Sequence, residues 1–164
     1  MIRRSLLTAA LIVAGSVAVA PKAMAQSVDV PFTGSVGGVC NVGQVTPGVL
    51  VADGPTPGNP TALFADSPMG GSRGKVAVSC NQQAEVSVSS PQQTGGPSFI
   101  PIWSNSSVES PYGWSNADHN GAISSHQIPS GMGIELLVSM HVDKGVALVP
   151  GVYSYVTTVS ITPF

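Results

Sequence analysis

Apolar and polar residues alternate with a period of two in several short segments, each bounded by glycine, proline, asparagine or serine. In the clearest, residues 134–142, apolar side chains fill the even positions and the odd positions are polar except for Leu137. Successive side chains of a strand point to opposite faces, so this alternation predicts a half-buried β-strand. Because no helical periodicity of useful length follows residue 25, the pattern predicts an all-β fold.

Three other segments alternate in the same way. The first has apolar residues at even positions from 28 to 42, and we expect its strand to begin near Phe32. The second covers residues 76–88 around a polar turn, and the last covers residues 153–161. Several short strands at this spacing favour a β-sandwich.

Two segments interrupt the alternation. Residues 45–74 are rich in proline and glycine, and residues 91–129 contain both tryptophans. We expect both to form loops that carry short edge strands. Loops longer than about 15 residues are uncommon unless they are functional or mobile, so the loop at 91–129 is a candidate for contact with partners.

The first 25 residues have the parts of an export signal. Arg3 and Arg4 give a basic start, an apolar run follows, and the run ends before an Ala-x-Ala cleavage site at residues 23–25. The run is shorter than the roughly 20 residues of a membrane-spanning helix. We therefore expect residues 1–25 to be cleaved, leaving residues 26–164 as a single exported domain without a membrane span.

The two cysteines, Cys40 and Cys80, each lie near the end of a valine-rich alternating segment. Disulfides persist in the oxidising compartments that exported proteins reach, and two cysteines allow one connectivity. We therefore predict a structural Cys40–Cys80 disulfide, which in the chain-entropy model stabilises the fold by roughly 4 kcal/mol. A metal site needs more ligands than two cysteines, and a redox pair usually has closer spacing.

The charge of the exported chain and the positions of its histidines argue against nucleic-acid binding, metal binding and catalysis. After signal removal three basic residues remain against eight acidic ones, a net charge of 3 − 8 = −5, which disfavours contact with a nucleic-acid backbone. His119 and His126 lie in the polar segment, and His141 lies on the outward side of its predicted strand. We expect no catalytic site, no metal and no cofactor.

Trp103, Tyr112 and Trp114 combine aromatic planes with neighbouring amides and hydroxyls. Two interpretations are open. The three side chains either form a sugar-binding surface, or the tryptophans bury themselves against the sheets and close the loop over the core.

Three features together resemble the pilin subunits of chaperone–usher fimbriae and the spore-coat-U type secreted proteins. They are a second cysteine forty residues after the first, a C-terminal strand introduced by Pro-Gly-x-Tyr at residues 150–153, and the N-terminal motif Phe32-x-Gly34-x-Val36-x-x-x-Cys40-x-Val42. The likeness covers both ends of the exported chain and leaves residues 91–129 unmatched.

The resemblance implies an immunoglobulin-like, pilin-like β-sandwich that lacks its final strand. The resulting groove would be filled first by a periplasmic chaperone and then by the N-terminal extension of another subunit, which is β-augmentation. It implies a groove-bordering and chaperone-facing strand carrying Tyr153, Tyr155, Val159 and Ile161, and a donor strand carrying Val28, Val30 and Phe32. A first strand that begins near Phe32 leaves only residues 26–31 as an extension, which is short for a donor.

The sequence therefore predicts a non-enzymatic structural or adhesive subunit that is exported to the bacterial periplasm, cell surface or fimbrium. Its expected partners are further copies or pilus co-subunits, together with a periplasmic chaperone and an outer-membrane usher. A short extension equally suits a self-complete domain. The alternative is a monomeric secreted carbohydrate-binding module that uses Trp103, Tyr112 and Trp114.

Overall fold

The computed structural model describes residues 29–56, 58–66 and 70–164, and within them it contains twelve β-strands and no helix. The expected all-β fold is thus confirmed. The expected signal peptide and Val28 lie outside the described residues. The chain divides between Ser35 and Val36, and every strand belongs to the later unit. The strands are β1 (Cys40–Thr46), β2 (Val51–Asp53), β3 (Ala62–Phe64), β4 (Gly74–Cys80), β5 (Ala84–Val88), β6 (Gln92–Gly95), β7 (Trp103–Ser110), β8 (Gly113–Asp118), β9 (Ser125–Ile128), β10 (Gly133–Asp143), β11 (Ser154–Val156) and β12 (Val159–Pro163).

The largest sheet has seven antiparallel strands arranged around β10. Along one edge, β10 pairs first with β4 and then with β3, and along the other edge it pairs with β7. The remaining strands extend the sheet outward: β1 pairs with β4, β2 with β3, and β8 with β7. The segment with the clearest alternation is therefore the centre of the sheet, as expected for the strand with the most apolar inward face.

Two smaller antiparallel sheets complete the unit: β5 lies between β12 and β9, and β11 pairs with β6. The three-stranded sheet packs its buried side chains, Val86, Val88 and Ile128, against those of the large sheet, Val78, Val108 and Leu136. A second cluster joins Leu63 and Val142 to Phe99 and the C-terminal tyrosines. The core thus lies between facing layers of sheet.

The side chains of β10 follow the predicted parity. Ile134, Leu136 and Val142 are buried in the core, whereas Glu135 on the opposite face is exposed. The predicted disulfide is also confirmed, because Cys40 and Cys80 are bonded and lie directly opposite each other in the β1–β4 ladder with Cα atoms 4.0 Å apart.

The expected long loop at residues 91–129 is wrong, because this region forms β6 to β9 and contributes β7 to the centre of the large sheet. The inward positions of β7 and β8 are taken partly by serines, which do not produce an apolar alternation. Ser106 and Ser115 are fully buried, and their hydroxyls donate to the backbone carbonyls of Ser89 and Val86. Hydrogen bonding removes the cost of burying these hydroxyls, so a strand can pack them inward.

The first strand also differs from expectation. It begins at Cys40 rather than near Phe32, and residues 29–39 belong to no strand. The alternation of this segment therefore does not decide its conformation. A strand needs a neighbour with which to exchange backbone hydrogen bonds. Among the described residues, such a bond reaches this segment only at its end, where the carbonyl of Val39 accepts from the backbone N–H of Asn81.

Candidate functional site: a groove beside the last strand

The strands β1 and β12 border a groove in which neither strand pairs with the other. At one end the chain before β1 approaches β12 closely, since a Cβ atom added to Gly38 would lie 2.7 Å from Cβ of Pro163. At the other end, residues 45–48 and Thr157 with Val159 line one cavity. Within the described residues β1 pairs only with β4 and β12 only with β5, so both facing edges have unpaired backbone groups.

Two cavities follow one another along the groove and share Leu50. The first has a volume of about 180 Å³ and is floored by apolar side chains of the large sheet, Val76, Val138 and Met140. The second has a volume of about 440 Å³ and lies between residues 50–52 and residues 148–153. The groove therefore continues past β12 along the segment that precedes β11.

The inward side chains of β1 are not covered. Val42 and Val45 pair with Val78 and Val76, so they lie on the face of the sheet that carries the core. Val78 is only 2% exposed, yet Val42 and Val45 are 58% and 60% exposed. The three-stranded sheet ends at β12 and does not reach β1. The layer opposite β1 therefore leaves these two side chains uncovered.

The four residues expected to border a groove lie on one side of the C-terminal segment. Tyr153, Tyr155, Val159 and Ile161 are all half-buried, while the residues between them are mostly exposed. Tyr153 and Val159 line the two cavities, and Tyr155 and Ile161 pack against the two core clusters. Thr157 and Thr158 lie between β11 and β12 and hydrogen bond to Ser89.

Tyr155 carries an unsatisfied polar atom in this region. Its hydroxyl is buried and has no hydrogen-bond partner among the described residues. Burial, with a smaller contribution from Tyr153, raises the pKa of Tyr155 to about 12. The hydroxyl therefore stays protonated at neutral pH and remains a donor without a partner among the described residues.

The expected donor residues are placed only in part, because Val28 is not among the described residues. Val30 and Phe32 lie in a segment without a strand, and both are exposed, Phe32 by 93%. Sequence reasoning missed the floor of the groove, since Val76, Val138 and Met140 follow ordinary core parity. It also missed the length of the segment that precedes β1.

The aromatic residues of the expected sugar site are separated. Trp103 pairs with Asp143 at the start of β7, whereas Trp114 pairs with Glu109 near its end and Tyr112 lies in the β7–β8 turn. Six positions of an extended strand place the two tryptophans about 20 Å apart. They are 43% and 64% exposed, so the interpretation in which both bury against the core is wrong.

One histidine and one glycine-flanked serine have surroundings that bear on catalysis. His126 contacts Ser110 and Ser115 at 2.9 and 3.2 Å, and burial lowers its pKa, but no carboxylate contacts the imidazole among the described residues. The hydroxyl of Ser115 thus occupies the place that a carboxylate takes in a Ser-His-Asp triad. Residues 70–74 match the Gly-x-Ser-x-Gly spacing, yet Ser72 bridges to Val49 and leads into β4 instead of a helix.

The described residues hold no group of three or more histidine, cysteine, aspartate or glutamate side chains placed to bind a metal ion. In the same part of the chain no helix is long and apolar enough to span a membrane. Comparisons with protein-family models, curated proteins and solved structures found no match. The groove is therefore interpreted from its own geometry.

Proposed function

We propose that this protein is a non-enzymatic structural subunit of the bacterial cell surface whose groove accepts an extended strand from another copy. The observation that carries the proposal is the pair of unpaired edges on β1 and β12 with an apolar floor between them. A strand laid between these edges gains backbone hydrogen bonds on both sides and places alternate side chains in the groove.

The exposed valines give the apolar part of the gain. Full burial of an exposed valine contributes about 1.5–3 kcal/mol. Val42 and Val45 are 58% and 60% exposed, so covering both favours the complex by about 2–4 kcal/mol before the ordering of the strand is counted. Without a covering strand, the same edge is a site of aggregation. The subunit is thus expected to need a partner strand in order to remain soluble.

Residues 29–36 are the proposed donor. Even positions in this segment carry Val30, Phe32, Gly34 and Val36, an alternation that presents apolar side chains to one side of an extended strand. Gly37 and Val39 are hydrogen-bonded to Asn81 of the same chain, so residues 29–36 are the part proposed to leave the subunit, and they span about 26 Å when extended. Because β1 begins at Cys40, the extension is long enough to donate a strand, unlike one that ended at residue 31.

The assignment to a pilin-like fold rests on the same features. We infer an immunoglobulin-like sandwich of the pilin type from the facing sheet layers, the disulfide at β1 and the groove beside the C-terminal strand. The export signal expected in residues 1–25 agrees with the disulfide, which forms in oxidising compartments. A periplasmic chaperone and an outer-membrane usher are the partners that such a subunit requires.

Charge substitutions on the two opposite sides of the proposed donor strand test the proposed strand exchange directly. Phe32→Asp places a charge among the groove-facing side chains, whereas Thr33→Asp places the same charge on the opposite side of the strand. Exported wild-type protein should form a ladder of oligomers on a non-denaturing column. Phe32→Asp should abolish the ladder and Thr33→Asp should preserve it.

Deletion of residues 26–36, which removes the apolar positions of the proposed donor, supplies a second measurement. The truncated protein should cap oligomers of the wild type without extending them, and a peptide of residues 28–39 should bind it. A wild type that is monomeric and thermally stable without a chaperone would contradict strand exchange. If the same monomer protects Phe32 from solvent, the segment has instead turned back at Gly37 and Gly38 into its own groove.

A further inference from the structure

Three aromatic rings form a row across neighbouring strands on the outer face of the large sheet. Phe64 on β3 stacks on His141 of β10 with ring centroids 3.7 Å apart, and Trp103 of β7 meets His141 at 4.5 Å. Nε2 of His141 has no hydrogen-bond partner among the described residues, so stacking holds the ring. We name Phe64, His141 and Trp103 the aromatic row.

Hydrogen-bond acceptors flank the aromatic row on the same face. Asp143 pairs with Trp103 and with Ala62, and Ala62 in turn pairs with Asp53. Paired residues of antiparallel strands share a face, so both carboxylates lie beside the rings. Each carboxylate accepts a backbone N–H through Oδ1, from Gly145 and Gly54, and Oδ2 makes no hydrogen bond within the described residues.

The charge of this surface restricts what binds it. Lys144 follows Asp143 but its ammonium donates to the carbonyl of Ser98 and lies over the ring of Phe99. Burial lowers the pKa of His141, although Asp143 and Asp53 act in the opposite direction, so the imidazole is neutral at pH 7. Two carboxylates beside neutral rings repel phosphates and acidic sugars.

We propose that the aromatic row is a binding site for uncharged pyranose sugars, with Trp103 as the stacking surface and Asp143 as the acceptor for hydroxyls of the stacked sugar. Asp53, three strands or about 14 Å from Trp103, would accept from a neighbouring sugar of the same chain. A pyranose presents an apolar C–H face and a rim of hydroxyl donors, which matches an exposed indole beside free carboxylate oxygens. Trp103 is 43% exposed, and its contact with His141 fixes the orientation of the ring.

The site is independent of the groove. The aromatic row lies on the outer face of the sheet, whereas Leu63 and Val142, the neighbours of Phe64 and His141 along their strands, face the core. A subunit whose groove is filled by a partner strand therefore still presents the row. Repetition of the site along a polymer would raise the avidity for a glycan by multivalency.

The chain offers a matched control for the experiment. Trp114 lies on the same face of the sheet, is more exposed than Trp103, and has no contact with another aromatic ring among the described residues. Titration of the full exported chain with uncharged tetrasaccharides of glucose, mannose and N-acetylglucosamine, followed by calorimetry, should show binding to at least one. Tetragalacturonate, which is acidic, should not bind.

In that titration Trp103→Ala should weaken binding by about tenfold or more, while Trp114→Ala should change it less than about twofold. Trp103→Tyr, which retains an aromatic plane, should recover part of the lost affinity. It replaces Trp103→Ala in the test if the alanine variant unfolds at the temperature of the titration. No binding to any uncharged tetrasaccharide would overturn the proposal. Equal losses in the two alanine variants would overturn it as well, because they would favour the separated three-residue site.

Discussion

Leu136 and Leu137 are identical neighbours on β10 that face opposite sides of the sheet, and they allow the packing of the core to be tested with one substitution made twice. Leu136 is 0% exposed and packs between the large and the three-stranded sheet. Leu137 is half-exposed on the outer face, opposite Lys75 and Glu109. Leucine-to-alanine substitution removes the same atoms at both positions, so the difference measures burial alone.

The expected magnitude follows from the burial. A fully buried Leu→Ala substitution costs about 2–5 kcal/mol, and we expect about 3 kcal/mol for Leu136→Ala. Leu137→Ala should cost less than about 1 kcal/mol, because part of its side chain is already hydrated. Three kcal/mol is a large share of the roughly 5–15 kcal/mol that stabilise an ordinary domain.

Urea unfolding followed by circular dichroism, at one protein concentration and with the disulfide intact, measures both costs. With a slope of about 2 kcal/mol per molar urea, the midpoint of Leu136→Ala should fall by about 1.5 M and that of Leu137→Ala by less than about 0.5 M. Equal shifts, or a larger shift for Leu137→Ala, would refute the inward parity of β10 and with it the floor of the groove.

Two further predictions concern stability. Met140→Asp should lower the free energy of unfolding by about 2 kcal/mol, because Met140 lines the groove floor and packs on the second core cluster. The control Ser139→Asp should lower it by less than about 0.5 kcal/mol. Equal melting temperatures for the two variants would show that the floor is misassigned. His126 and His141 have pKa values lowered by burial, so stability is full above the ordinary histidine pKa of about 6.5 and is lost as pH falls through that value towards the lowered ones. The melting temperature should drop between pH 7 and pH 5, and His141→Phe should reduce the slope; an unchanged slope in that variant would exclude His141 as a contributor.

Local alternation predicted the elements whose inward residues are aliphatic. β10 and β5 were predicted correctly because every inward position carries an apolar side chain, and period two is a property of the strand itself. β7 was missed because Ser104 and Ser106 occupy inward positions there. Their burial depends on neighbouring strands and carbonyl acceptors that no local pattern contains.

The candidate site, like the fold, could be predicted from the sequence only in part. The alternation of residues 153–161 predicted a strand, and the resemblance to pilins implied that four of its side chains border a groove. The structure leaves all four half-buried on one side of the segment. The exposure of Val42 and Val45 and the floor at Val138 and Met140 were not predictable, because they arise from the width of the opposite layer rather than from the strands that carry them.

The sequence by itself determined the β class, the parity of the central strand and the pairing of Cys40 with Cys80. Each depends on a local period or on the number of cysteines. Only the tertiary structure decided that β1 starts at Cys40 and that the aromatic row brings together β3, β7 and β10. The physical reason is that a strand exists only where a neighbour accepts its backbone hydrogen bonds, and the identity of that neighbour is a property of the whole fold.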